Sequence, residues 1–237
     1  MKIVFIGAGN LATRLSLAMQ RVGMQIGQVY SHTEASARQL ATRLGCPWTN
    51  DLSALQEDGD LYVFSLKDTV LSDVISKVKP NNGMWVHTAG SMPMSVFEGY
   101  AQRFGVLYPL QTFSKGRNVN FDVIPIFLEA NTDKNADYLK NIASALSENV
   151  RFMSSEKRRS LHLAAVFACN FTNHIYTLSY KLLENESIPA DVLLPLIDET
   201  VSKIHSMPPA AAQTGPAIRY DENVINKHLA MLDDPDM

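Results

Sequence analysis

The chain is poor in cysteine, in clustered positive charge and in long apolar runs. Cys46 and Cys169 are its two cysteines. They stand too far apart for a CxxC pair, which argues against a disulfide scaffold or a cysteine-rich zinc site and makes a reducing cytoplasm the expected setting. Lys plus Arg number 21 against 24 for Asp plus Glu, a formal charge of −3. Nucleic-acid and membrane-surface binders carry a dense basic patch instead, so neither partner is expected. The one basic knot, Lys157-Arg158-Arg159, reads as a solvated helix start. Ile3 to Ile6 is shorter than the ~7–15 apolar residues of a signal peptide. Leu163 to Cys169 falls well short of the ~20 that span a bilayer. A G-x-S-x-G elbow is missing, as are His-x-x-x-His and paired carboxylates at ligand spacing, so neither a hydrolase triad nor a metal site is expected.

What is present is alternation. Apolar runs at Ile3–Ile6, Ile26–Tyr30, Leu61–Phe64 and Met84–His87 read as buried strands. Between them lie helical patterns: Leu11 to Val22, Thr33 to Leu44 with Gly45 as terminator, and Thr69 to Val78. Further strands are expected at Val106–Tyr108, Ile124–Leu128 and Val150–Met153, with a helix at Asp133–Leu146. Short strands alternating with helices imply a doubly wound α/β domain with a mostly parallel sheet. After about Ser154 strand runs disappear. Ser155 to Glu186 reads as one long helix, a second runs to about His205, and Asp221–Leu232 forms a third. The expected division is 1–153 for the α/β domain and 154–237 for a smaller all-helical one.

Gly7-Ala8-Gly9-Asn10-Leu11-Ala12 is a G-x-G-x-x-A sequence placed directly between a strand and an amphipathic helix. Gly7 permits the tight turn, Gly9 a close backbone approach, and Ala12 close helix packing. The first helical amides at Asn10 and Leu11 would receive a dinucleotide's diphosphate. At the end of the second strand a carboxylate would bind the ribose of NAD. Here Ser31-His32-Thr33 offers donors and no acid before Glu34, which favours the 2′-phosphate of NADP. Ligands sit beyond the carboxyl ends of parallel strands, where Lys67, His87, Ser91 and Gln111 also fall. In the helical half, Asn170 with Asn173 or His174 forms a one-turn polar cluster able to orient a carbonyl or carboxylate. His162 lies farther back on the same helix.

These stretches carry a family likeness. The carriers are Val4 to Asn10, His87-Thr88-Ala89-Gly90-Ser91, Tyr108-Pro109-Leu110-Gln111-Thr112-Phe113, His162 through Asn170, and Thr214-Gly215-Pro216-Ala217-Ile218-Arg219-Tyr220-Asp221. Together they resemble Rossmann-like proteins with an uncharacterised C-terminal helical domain, related to deazaflavin-dependent NADP oxidoreductases, pyrroline-5-carboxylate reductase and 6-phosphogluconate dehydrogenase-type enzymes. Tyr220 replaces the family's usual glycine, and Tyr108 stands where histidine is common. The Lys-x-x-x-Asn of some 6-phosphogluconate-type enzymes is not visible. The resemblance implies NADP binding, oxidoreductase activity, and homodimers built through the helical domain.

The resulting expectation is an NADP-dependent oxidoreductase passing hydride to or from a small carbonyl, imine or hydroxy acid. The alternative is a non-catalytic NADP sensor. His87 and Ser91 are expected on the nicotinamide side, with His162, Asn170 and Thr214 facing the substrate and Arg219 holding a carboxylate. The site is expected at the seam between the two domains, because pockets often form at such interfaces. The small residues Ala164, Ala165, Ala168 and Cys169 suit close helix packing in a symmetric dimer.

Overall fold

The computed structural model describes residues 1–232. Residues 233–237, the end of the expected helical domain, lie outside the described residues. Eight strands form one sheet: β1 (Lys2–Ile6), β2 (Gln25–Tyr30), β3 (Trp48–Thr49), β4 (Leu61–Phe64), β5 (Met84–His87), β6 (Phe104–Pro109), β7 (Ile126–Ala130) and β8 (Val150–Phe152). Their order is β3-β2-β1-β4-β5-β6-β7-β8. Every neighbouring pair is parallel except β6 with β7, so the sheet is mostly parallel as expected.

The apolar runs are continuous because both faces are covered. Successive side chains point to opposite faces, and each strand therefore feeds two cores. Ile3, Phe5, Leu61, Val63, Met84 and Val86 enter one core with helices α1 (Asn10–Arg21), α2 (Glu34–Leu44) and α4 (Asp133–Ser144). Val4, Ile6, Tyr62, Phe64 and Trp85 enter the other with α3 (Asp68–Lys77). Gly45 ends α2 in the left-handed conformation, φ 65°, as its position in the sequence suggested.

Two features depart from the sequence reading. β3 is only two residues long, too short to show a period. The expected long helix is helical throughout, but not as one α-helix: α5 (Ser155–Ala165) passes into a π-helical segment, Val166–Phe171, and then into α6 (Thr172–Asn185). The chain divides into two compact units after Val166. The change of pattern in the sequence falls near 154, whereas α5 remains with the sheet unit. The second unit holds α6, α7 (Leu194–Ile204), the short α8 (Pro209–Ala212) and α9 (Glu222–Leu229). No helix among the described residues is long and apolar enough to cross a membrane.

What keeps α5 with the sheet is an ion pair. Arg158, 1% exposed, meets the Glu129 carboxylate at 2.6 Å. Its second amino group donates to the Met92 carbonyl and to Ser155 Oγ. Ser155 in turn donates to Glu129 through its amide and its hydroxyl. The basic knot read as a solvated start thus has its central residue inside the protein. A second buried arginine, Arg14 of α1, holds the loop after β6 through Ser114 O, Lys115 O and Asn118 Oδ1.

Breaking a buried pair from one side strands a charge and typically costs ~3–5 kcal/mol, whereas replacing both members with apolar groups is often close to neutral. Arg158→Met should therefore destabilise the protein by about 3–5 kcal/mol in urea unfolding, and Arg158→Met with Glu129→Leu should recover most of that loss.

Candidate functional site

The strand order reverses between β1 and β4, since β1 continues outward to β2 and β4 continues to β5. In open α/β sheets this switch point is where the crevice opens. Gly7 follows β1 there with φ +124°, and a Cβ on it would stand 2.1 Å from Ser65 O at the end of β4. Only glycine lets the two strand ends approach so closely. Gly9 occupies the N-cap position of α1, which no side chain caps. A Cβ built on Gly9 meets nothing within 4 Å. The first-turn amides of Asn10, Leu11 and Ala12 lack intrahelical acceptors, and those of Asn10 and Leu11 lie on the accessible side of the turn, since Ala12 is buried. A diphosphate fits this arrangement.

Ser31, His32 and Thr33 link β2 to α2. The Ser31 amide donates to Thr49 O, which leaves its hydroxyl. Thr33 is the N-cap of α2 by position, yet its side chain makes no capping bond. His32 and Thr33 are exposed. The first carboxylate, Glu34, has Arg38 at 3.9 Å.

The ends of β4, β5 and β6 carry a polar cluster. Lys67 is exposed at the N-cap of α3. Beside it Asp68 accepts a hydrogen bond from the Ser91 hydroxyl. His87 ends β5 with no exposed surface. Its Nδ1 accepts from the Ala89 amide at 3.2 Å, while the buried Nε2 has no hydrogen-bond partner among the described residues. Burial and the nearby Arg158 cation push its pKa down to about 3. His87, expected on the nicotinamide side, therefore stays neutral and supports the 88–91 loop from within the core.

Above it, Tyr108 of β6 reaches His162 of α5: the phenolic oxygen and Nδ1 are 3.0 Å apart. The imidazole also presses on the loop. A Cβ on Gly90 would lie 2.5 Å from His162 Cγ and Nδ1. The sequence marks His162 as a substrate-facing candidate and assigns it no partner. The Tyr108 pairing joins a strand to a helix remote in sequence, and no local pattern signals that. Gln111 is exposed beyond the same strand. Asn170, Thr214 and Arg219 belong to the second unit, where all three are exposed. Asn170 sits in the π-helical segment, and Thr214 and Arg219 precede α9. Among the described residues no group of three or more His, Cys, Asp or Glu side chains could hold a metal.

The depressed His87 pKa has a consequence for stability. In the unfolded chain a histidine titrates near ~6.5. Between there and about 3 the unfolded state binds a proton that the folded state refuses, so stability rises with pH across this window and is lost as pH falls through it. The contribution is up to ~1.4 kcal/mol per pH unit. His87→Asn, which keeps an acceptor for Ala89, should flatten the acid side of a plot of urea midpoint against pH.

Comparison with known proteins accords with this geometry. Residues 2–86 match the family described as NADP oxidoreductase, coenzyme F420-dependent, and residues 124–237 match a domain of unknown function, DUF2520. No curated protein matches the chain. A Bacteroides fragilis protein named provisionally as an NADP oxidoreductase is 53% identical, with 99% of this chain and 92% of that one covered and a TM-score of 0.93. A Thermotoga maritima protein is 23% identical over 95% and 88% of the two chains, TM-score 0.77. An imine reductase from Myxococcus stipitatus, solved with NADP+, is 14% identical over 87% and 76%, TM-score 0.63. These last two share the fold. On the strength of a likeness that takes in 99% of this chain and 92% of the Bacteroides protein, the chain belongs to the NADP oxidoreductase family in which a Rossmann-like domain is joined to a DUF2520 domain.

Proposed function

We propose that the protein is an NADP(H)-dependent oxidoreductase acting on a small carbonyl, imine or hydroxy acid, and that it works as a homodimer. The observation that carries the first part is the uncapped start of α1, with open space at Gly9 and the close crossing of Gly7 over Ser65. Gly7, Gly9 and the amides of Asn10 and Leu11 would hold the diphosphate. The hydroxyls of Ser31 and Thr33, with His32, would hold the 2′-phosphate, and Lys67 adds a cation on the adjacent rim. When bound, the nicotinamide supplies or accepts the hydride. The chain's own part is to bind, orient and manage the proton, and for that the Tyr108–His162 pair and the Asp68–Ser91 pair stand ready at the strand ends. Asn170, Thr214 and Arg219 are retained as substrate-facing candidates on the strength of the sequence. The imine reductase solved with NADP+ supports the same cofactor here.

NADPH should bind at least tenfold more tightly than NADH in titration calorimetry, about 1.4 kcal/mol. Equal affinities would overturn the cofactor assignment, and binding without turnover on any carbonyl, imine or hydroxy acid would favour the sensor. Gly9→Val has room on the protein side, so it should abolish NADPH binding while leaving the melting temperature close to wild type.

The second part rests on exposure. From Phe167 onward no described residue is buried. Phe171, Ile175, Leu196 and Ile204 are each about half exposed or more. A helical unit with so large an uncovered apolar area requires a partner surface, and a second copy is the economical one. Sedimentation at micromolar concentration should give a dimer, and Leu196→Glu or Phe171→Glu should shift it toward the 26.3 kDa monomer.

A further inference from the structure

Reducing a carbonyl takes a hydride and a proton, and a polar group at the strand ends has to deliver the proton. Among the groups collected there, His87 is sealed in the core. Ser91 is engaged with Asp68. The Tyr108 phenol differs from both. Its ring is anchored among Val106, Phe127, Met94, Met153 and Leu161, while its oxygen meets His162 Nδ1 at 3.0 Å. The imidazole is itself held. It lies edge-on to the Tyr108 ring, with centroids 6.0 Å apart and planes at 78°. Its other side rests on Gly90, where any side chain would collide with it. Two independent contacts thus fix one ring nitrogen against one hydroxyl, at the carboxyl end of the strand next to β5.

We propose that Tyr108 is the proton donor to the oxygen of a carbonyl substrate and that His162, set by Gly90, is its positioning residue. This rests on the reading of the protein as an NADP(H)-dependent reductase. A bound reduced nicotinamide would supply hydride to the carbonyl carbon, and the C=O π bond would break with its electron pair moving to oxygen. The Tyr108 O–H bond breaks and its proton joins that oxygen, giving the alcohol. The resulting phenolate accepts the proton on His162 Nδ1, and the ring is reprotonated from solvent. The carbonyl is reduced and the nicotinamide oxidised by two electrons.

The charged and titratable groups around the phenol are His162 and Arg158 of α5, Asp68 of α3, Glu129 of β7 behind Arg158, and His87 of β5. Burial raises the phenol's pKa, with Arg158 opposing and Asp68 adding to the rise. The donor consequently keeps its proton through neutral pH, and activity falls only on the alkaline side.

The test begins without turnover. In long-range nitrogen–proton NMR spectra the His162 ring resonances should move when NADPH is added. They should stay in place with 2′-phospho-ADP-ribose, which lacks the nicotinamide ring. Tyr108→Phe should then bind NADPH as the wild type does, reduce 2-oxo acids and simple ketones ~10²–10⁴-fold more slowly, and lose the alkaline limb of the kcat profile. In His162→Phe and Gly90→Ala the phenolate loses its donor, so that limb should move to higher pH. A His162 ring indifferent to bound NADPH, or wild-type kcat in Tyr108→Phe, overturns this assignment alone. Failure of the wild type to bind NADPH overturns the reductase reading, and this assignment with it.

Discussion

The buried pair between Arg158 and Glu129 is the constraint on which the rest of the site depends. The two charges are held at 2.6 Å with Ser155 bridging them, and together they fix the first turn of α5 against the sheet. Everything carried by that helix inherits the position. His162 lies one turn further along, within reach of a hydroxyl on β6 only because Arg158 has already set the helix axis. Such a pair is a costly device, since two ions must leave water to form it. It persists here where an apolar contact would give cohesion but less directional control, and the same cation adds to the burial that keeps His87 neutral beneath the loop.

A second constraint comes from the backbone. The ends of β1 and β4 run side by side so closely that Gly7 has no room for a side chain. The end of the sheet at Gly7 is built from main chain, and the polar cluster beyond β4, β5 and β6 from side chains on separate elements. That division explains what could be read beforehand. Main-chain sites need glycine at fixed offsets from a strand and a helix, so Gly7, Gly9 and the open amides were visible in the sequence. The two-faced strands were visible too, as continuous apolar runs.

What stayed hidden depends on contacts remote in sequence. β3, only Trp48–Thr49, exists by pairing with β2 and has no period of its own. The π-helical segment keeps helical composition, so periodicity passes straight through it. Arg158 looked like a surface charge because its partner, Glu129, sits on a strand whose sequence gives no hint of α5. His162 was singled out, but its neighbours on the helix drew attention from Tyr108, the group it touches. His87 stands at a strand end, where a contact with ligand is expected, and nothing in its flanking residues says which way the ring turns.

Arg14 sits one turn inside α1, ~6 Å along the axis from Asn10. Its guanidinium is spent on two carbonyls and an amide oxygen, and no carboxylate pairs with it among the described residues. A full positive charge is thus stored, unneutralised and shielded from solvent, in the same helix that opens its amides to a phosphate. Buried charges are screened far less by salt than exposed ones. An anion held at the start of α1 would accordingly feel an attraction that bulk ionic strength does little to weaken, whereas the pull of an exposed cation such as Lys67 would be screened.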